Sequence, residues 1–549
     1  MSFRRAAMAC DDGTRSDPLM SDVRTSTETE YDELPYPCGG HDQTHPAHLA
    51  TLATLLGLVP APLQTCRVLE LGCGDGSNLI PMALSMPQAT FVGIDLSHRQ
   101  IEAGQAEVRQ LGIENLSLRH QDLMTFGDSE QPFDFIIAHG IYSWVPNPVR
   151  NKIWEICRKL LSPNGVVYMS YNAYPGWHQR MMVRDMMRFH TQNIRDPERR
   201  RAQALAMVNF VAQSTPPQLP LHRKAMETER TRLSELPLNY VLHDDLGDIN
   251  QPFYFHEFIT AASSNGFQFL SESRFHAMQD TRLSPETRSA LLKAGDLLVM
   301  EQYRDYITCN AFRQTLICHA NRALDRRLRP EQMESFRFSS VLRSKSPQPD
   351  VTRAVEESFQ HNGMTLTLSI PIAKAVLVIL QEHAPQAIPF ETLFQLALKR
   401  SQTDAPASFD LKFRLHQRNE VAELLLAGFG AGVILPTLFQ AEFSLKVGDK
   451  PKLERLARLR IAANKEVTTP LLDNIRFEEP FGRAVALCCD GQTTQAEIIE
   501  QLKQRVAAGE FPTELSDGKV PVPEELHSQV TARVTECLDR IAHYAVLTG

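Results

Sequence analysis

The sequence predicts an α/β fold: a seven-stranded sheet flanked by helices, broken by a helical insertion and followed by smaller, mainly α, winged-helix-like domains. Three observations carry this. Strand-length apolar runs alternate with helical patterns from Arg67 to Tyr171, as in a parallel sheet covered on both faces. The first run ends in a glycine-rich stretch, RVLELGCGDGSN at 67–78. Single acids, Asp95 and Asp122, close the second and third runs.

Taken in order, residues 1–30 are polar and read as disordered. The segment YDELPYPCGGHDQTHP at 31–46 is irregular because of its prolines and glycines, and HLATLATLLGL suits an amphipathic helix from Pro46 to Leu58. Strands are expected at Arg67–Leu71, Thr90–Asp95, Ser117–His120, Phe133–Ala138 and Val166–Tyr171, with helices at Ser97–Leu111 and Val149–Leu161. Residues 179–237 break the rhythm: arginine-rich helices precede Pro216-Pro217, and their arginines read as a solvated face. The sheet resumes with a helix at Phe253–Asn265 and strands at Phe267–Ser271 and Phe312–His319. Beyond a polar stretch around Ser344–Pro349, Asn362-Gly363 signals a hairpin, three helical patterns lead to the strand GVILPTLF, and three more helical segments close the chain. Thr494-Gln-Ala-Glu497 is a capping box. The resulting partition is 1–30, core 31–190, insertion 191–237, remainder of the sheet 238–320, linker 321–350, winged-helix-like 351–460 and C-terminal helical domain 461–549.

Composition narrows the class. The chain has 549 residues, more than one core accommodates, and a net charge of −8 that argues against a chain-wide nucleic-acid footprint. Its ten cysteines lack metal-ligand spacing and read as reduced thiols of a cytoplasmic protein. The opening residues contain no apolar stretch of a secretory signal, and the longest apolar run, near Ile372–Leu380, is short of the ~20 residues a membrane span needs.

Glycines at the carboxyl end of a first strand let the backbone approach a ligand closely. A dinucleotide fingerprint would place its third small residue at Ser77; here the glycines fall at Gly72, Gly74 and Gly76, with Glu70 ahead of them. That spacing resembles motif I of class I S-adenosylmethionine-dependent methyltransferases. An acid beside the turn suits an amine, an acid after the second strand suits two ribose hydroxyls, and one after the third suits adenine N6.

The resemblance extends to bacterial class I methyltransferases that carry a methyltransferase regulatory domain, the rickettsial-type outer-membrane-protein lysine methyltransferases among them. It is carried by YDELPYP, QTHP, VLELGCGDGSN, VGIDLS, FDFIIAHGIYSWVP, SYNAYPGWH, HDDLGDINQPFYFHEF and FRQTLICHA, and more weakly by LLDNIRFEEP and DGQTTQAEI. It implies a Rossmann-like core, S-adenosylmethionine as methyl donor, a dimerising helical segment and protein lysine as acceptor. Cofactor residues would be Glu70, Gly72, Gly74, Gly76, Asn78, Asp95, Leu96, Asp122, Leu123 and His139.

The acceptor should arrive at the ends of the fourth and fifth strands, where aromatic residues gather: His139, Tyr142 and Trp144, then Tyr171, Asn172, Tyr174, Trp177 and His178. Aromatic faces attract cations, hydroxyls and an amide oxygen accept from an amine, and His139 or His178 suits a proton acceptor. An Asn/Asp-Pro-Pro-Tyr/Phe motif is replaced by AHGIYSWVP, which lowers the expectation of nucleobase or glutamine acceptors. Tyr36–His45 is a candidate lid, and the acids of HDDLGDIN read as caps of the Phe253 helix rather than metal ligands. The leading expectation is N-methylation of protein lysine. A small-molecule methyltransferase and a non-catalytic cofactor-binding scaffold stay open as alternatives.

Overall fold

The computed structural model describes residues 34–127, 129–279, 283–402, 411–511 and 523–548; the 1–30 segment expected to be disordered lies outside the described residues. Seven strands form the central sheet: β1 Arg67–Leu71, β2 Thr90–Asp95, β3 Leu116–His120, β4 Phe133–Ala138, β5 Leu161–Asn172, β6 Phe267–Glu272 and β7 Phe312–His319. Their order is β3-β2-β1-β4-β5-β7-β6. The five strands from β3 to β5 pair in parallel. The parallel pairing expected for the alternating central strands is present, and β7 runs antiparallel to both β5 and β6.

Central strands bury both parities of side chain because helices cover both faces. Val68, Phe135 and Ile137 pack with the helices Pro46–Leu55 and Leu79–Ser85. Leu69, Ile136 and Ala138 pack against Asn147–Leu160 and Phe255–Ser264. Polar positions are thereby pushed to the strand ends, where the sheet meets its ligand edge.

The insertion begins directly after β5 rather than at 191. Helices Trp177–Thr191, Pro197–Ser214 and Pro220–Glu235 enclose a small core that includes Val183, Met187, Val208, Met226 and Leu233. Several of its arginines are not a solvated face. Arg184 is buried and donates to the Gly247 carbonyl; Arg188 reaches the carbonyls of Gly247 (3.1 Å) and Asp248 (2.7 Å). Arg200 reaches the Leu246 carbonyl (3.0 Å) and Arg201 that of Leu236 (3.0 Å). They tie the insertion to 236–248, a segment that matters below.

The stretch expected as a linker is built into the structure. Arg337–Ser340 is a strand between Ile388–Pro389 and Ile434–Thr437, and Phe336, Phe338 and Leu342 are buried in a core continuous with one face of the large sheet. Helices Pro371–His383, Phe390–Arg400 and Leu411–Gly430 surround it. The hairpin Glu357–His361 with Met364–Leu368 turns at Asn362 (φ 44°) and Gly363 (φ 80°), the paired positive φ of a two-residue turn matched to strand twist. Downstream, helices Arg455–Ala462, Pro480–Cys488, Gln495–Ala507 and Pro523–His543 share a separate core. The capping box at Thr494 and Glu497 is present.

Candidate active site

A cavity of about 1060 Å³ opens at the carboxyl ends of β1, β2, β4 and β5, the edge where ligands of open α/β sheets bind. Its floor is the glycine turn. Gly72, Gly74 and Gly76 have φ of 74°, 56° and 77°, a region in which any residue with a Cβ is strained. Gly72 and Gly74 line the cavity; Gly76 faces away, where a Cβ would lie 2.8 Å from Leu118. At Gly74 a Cβ would lie 2.5 Å from Cys38 Sγ, because the segment Tyr36–His41 crosses over the turn.

Glu70 is almost fully buried. Its Oε1 accepts from Asn78 Nδ2 at 2.8 Å, while Oε2 has no hydrogen-bond partner among the described residues. Burial pushes this carboxyl up to about 8; the Asn78 hydrogen bond opposes the shift, and Asp95 and Asp75 add to it. A buried acceptor left unmatched calls for a donor, preferably a cation. Asn78 also accepts from the His41 backbone N–H at 2.9 Å, coupling Glu70 to the crossing segment.

Asp95 takes the Gly74 N–H on Oδ2 and the Ser97 N–H on Oδ1, each at 2.8 Å, so it holds the two loops in register while lining the cavity. Asp122 accepts the Met124 N–H at 2.9 Å, and its side chain also belongs to the cavity. Leu96 and Leu123 provide apolar edges beside these acids. The site thus offers a carboxylate for an ammonium and, farther along one groove, two acids flanked by apolar surface. That is the complement of an amino acid joined to a nucleoside.

Among the aromatic and amide candidates, His139, Trp144, Asn172 and Trp177 line the cavity. His139 Nδ1 shares a hydrogen bond with Tyr168 Oη at 2.9 Å, and its ring lies 3.9 Å from that of His41. Burial, with His41 beside it, holds His139 well below the usual histidine range. Trp144 and Trp177 meet edge to face at 6.4 Å. Asn172 Nδ2 donates to Asn250 Oδ1 at 2.9 Å.

The other four do not line it. Tyr142 is buried among Trp154, Phe253 and Phe258, its hydroxyl accepting from Trp154 Nε1 at 3.1 Å. Tyr171 stacks on Phe258 at 4.2 Å and pairs with Thr315 Oγ1. Its strand parity assigns it to the opposite face from Asn172. Tyr174 and His178 stack on each other at 4.2 Å, and His178 pairs with Tyr254 Oη at 2.8 Å.

Several lining residues had no local signal. His243 and Asp244 reach the cavity from a π-helical turn, Val241–Asp245, and Tyr240 from the residue just before it. The acids of that turn do not cap the next helix; Glu257 does, accepting the Tyr254 N–H at 2.8 Å. Among the described residues no group of three metal-ligating side chains is suited to a metal. From the far end of the chain come Glu466, Asn474 and Arg476. Asn474 pairs reciprocally with Gly40, N–H to Oδ1 and Nδ2 to carbonyl, both at 2.9 Å. Arg460 joins the same region to the core through Ser77 Oγ (3.0 Å) and Glu107 (2.9 Å).

Comparison with known proteins identifies the family of the fold that carries this cavity. A family model described as a methyltransferase domain matches residues 63–213, one described as a predicted methyltransferase regulatory domain matches 237–319, and one described as the PKMT C-terminal winged helix domain matches 449–546. The last lies downstream of 351–460, where the sequence placed a winged-helix-like fold. An uncharacterized protein of Rickettsia prowazekii is 31% identical over 528 residues, 94% of this chain and 93% of that protein. A second from the same organism is 36% identical over 248 residues, 45% of this chain and 99% of that protein. The structure of PKMT2 from Rickettsia typhi in complex with AdoHcy superposes with a TM-score of 0.81 at 28% identity, covering 94% of this chain and 100% of that one.

Proposed function

Because this chain belongs to the class I S-adenosylmethionine-dependent methyltransferases with a methyltransferase regulatory domain, we propose that its acceptor is a lysine side chain of a protein. The cofactor supplies a methyl group on a sulfonium, which an aligned nucleophile accepts as a neutral thioether departs.

In this reading Glu70 pairs with the ammonium of the cofactor, Asp95 with its ribose hydroxyls, and Asp122 with the adenine amine between Leu96 and Leu123. Glu70 Oε2, buried and without a partner among the described residues, supports the first assignment most directly. Gly72 and Gly74 keep the backbone low enough for the ligand to lie across it. The segment Tyr36–His41 covers the turn as a lid that excludes water.

The lysine assignment is carried by the match to PKMT2, a name that denotes a protein lysine methyltransferase, along 94% of this chain. The shape of the cavity supports it. At about 1060 Å³ it is slightly larger than the usual range of ligand pockets, roughly 300–1,000 Å³, which leaves room for an entering side chain. Trp144 and Tyr240 with the acids Asp244 and Glu466 suit a cation, in a lining that also holds Arg180, Arg232 and Arg476; Arg180 already lies over the Trp177 ring at 5.5 Å. Exposed Phe189, Phe210 and Leu221 on the insertion support a homodimer through that element. No described helix is long and apolar enough to cross a membrane, and a cytoplasmic location is part of the reading.

The test is incubation with methyl-labelled donor and a cell lysate, followed by acid hydrolysis of the labelled protein. Label recovered as methyl-lysine is expected. Label confined to small molecules, or recovered on another amino acid, would overturn the reading.

A further inference from the structure

We propose that Asp244 receives the ammonium of the acceptor lysine and takes its proton before methyl transfer. This rests on the lysine reading above and adds the group that readies the nucleophile.

Three observations place Asp244 for that role. It lines the same cavity as Glu70, Asp95 and His139. Arg232, whose charge acts on it, is hydrogen-bonded elsewhere, to Asp245 through Nη2 at 2.6 Å and Glu229 through Nε at 2.8 Å. Asp244 accepts instead from a neutral donor, Tyr36 Oη, on Oδ2 at 3.3 Å. Tyr36 meets Tyr240 edge to face at 5.3 Å and His243 at 5.7 Å, so aromatic surface borders the carboxylate. Such surface favours an entering cation.

The same Tyr36 fixes the carboxylate relative to the donor turn. Its carbonyl accepts from Gln100 Nε2 at 3.0 Å, two residues before Cys38, whose sulfur covers Gly74. One short segment therefore touches the glycine turn and Asp244 together. The other side is held by the π turn Val241–Asp245, a rare geometry that recurs at functional sites. The contacts of Arg184, Arg188 and Arg200 to the carbonyls of 246–248 anchor its exit.

The chemistry fits the position. Burial and the adjacent Asp245 push the Asp244 carboxyl up to about 7, against the pull of the Tyr36 hydroxyl and Arg232. Other titratable or charged groups in the cavity lining are His243 on the same turn, Tyr240 before it, Arg180 and Arg232 from the insertion, Cys38 from the crossing segment, and Glu466 and Arg476 from the C-terminal region. A base titrating near neutrality both exists as a carboxylate and holds a proton well. His139, held well below the usual range, is the poorer proton acceptor. The carboxylate takes one proton from R–NH₃⁺, giving R–NH₂ and a neutral acid. The nitrogen lone pair then forms the N–C bond as the donor's C–S bond breaks, leaving R–NH₂⁺–CH₃ and a neutral thioether. The acid returns its proton to water.

The test uses the full chain and the variants Asp244→Asn, Asp244→Glu and Tyr36→Phe. With S-adenosylhomocysteine bound, the wild type should prefer Nα-acetyl-lysine methylamide over its norleucine counterpart, and Asp244→Asn should lose that preference. With the labelled lysate protein as acceptor, the wild-type rate should rise about tenfold per pH unit below about pH 7. Above about pH 7 the wild-type rate should level off; Asp244→Asn should lose that break, with a rate roughly 10²–10⁴-fold lower that keeps rising toward the lysine pKa near ~10.4, and Asp244→Glu should restore the break. Affinity for S-adenosylhomocysteine should stay unchanged in Asp244→Asn. A retained break near about pH 7 and lysine preference would overturn the proposal, as would a loss of donor affinity large enough to explain the rate. If Asp244→Asn does not fold, Tyr36→Phe decides: removing a hydrogen bond to the charged form should move the limb to higher pH, and an unmoved limb is the refuting result. Methyl-lysine in the product together with unaltered Asp244→Asn kinetics rejects Asp244 alone; label on a different residue type rejects the lysine reading and this role with it.

Discussion

Donor binding should release a proton, and Glu70 should be its source. With its carboxyl raised to about 8 by burial, Glu70 is mostly neutral at pH 7 in the free protein. An ammonium placed against Oε2 favours the ionised form and brings the bound-state pKa down. The sign follows: below about pH 8 the free protein holds a proton that the complex does not, so affinity falls as pH falls. Ionising the group at pH 7 costs about 1.4 kcal/mol, and between about pH 6 and 7 affinity should change close to tenfold. The amine of the ligand stays protonated over that window, since α-amino groups titrate near ~7.7–8.0. The assay is calorimetric titration with S-adenosylhomocysteine at the two pH values, in buffers of different ionisation enthalpy. The heat should vary with buffer by close to one released proton. Glu70→Gln should remove the released proton and the pH dependence, and bind about tenfold or more weakly at pH 8. A wild-type affinity that is flat from pH 6 to 7 with buffer-independent heat would refute the assignment of Oε2 to the amine.

Three further outcomes are expected. Asp95→Ala should lower donor affinity by at least about tenfold, because it removes both the loop contacts to Gly74 and Ser97 and a diol acceptor; calorimetry reads this. Asn474→Ala, far from the glycine turn in sequence, should weaken donor binding about tenfold through the loss of two hydrogen bonds to Gly40, with the melting temperature little changed. Tyr142→Phe should destabilise the fold by about 1–3 kcal/mol in denaturant titration, by leaving Trp154 Nε1 without its acceptor, while turnover stays within about twofold.

The strands of the sheet were legible because most contain an apolar run, several of them closed by a glycine or an acid, and burial on both faces rewards such runs. The three candidate acids were legible as neighbours for a related reason: Glu70, Asp95 and Asp122 sit at or just beyond strand ends, so local spacing alone brings them to one edge. The aromatic candidates were harder. Residue type does not reveal a face, yet strand parity separates Tyr171, with Val167 and Met169, from Asn172, with Tyr168 and Ser170. The direction of β7 was not legible, since its neighbour β6 is reached across an intervening helical excursion and antiparallel pairing leaves no mark on an apolar run. Asp244 and Asn474 were invisible as site residues because tertiary packing, not spacing, delivers them. The arginines at 184–201 misled because a guanidinium that satisfies a distant carbonyl looks, in sequence, like one in water.

The Gly40–Asn474 pairing spans 434 positions of the chain. A nascent polypeptide emerging from the ribosome completes its α/β sheet long before residue 474 is made, and until then the cover over the donor turn has no latch. The cavity at the glycine turn can therefore acquire this latch only late in synthesis, and on the cofactor reading proposed above a prematurely terminated product would carry the sheet strands yet retain the donor poorly and methylate little.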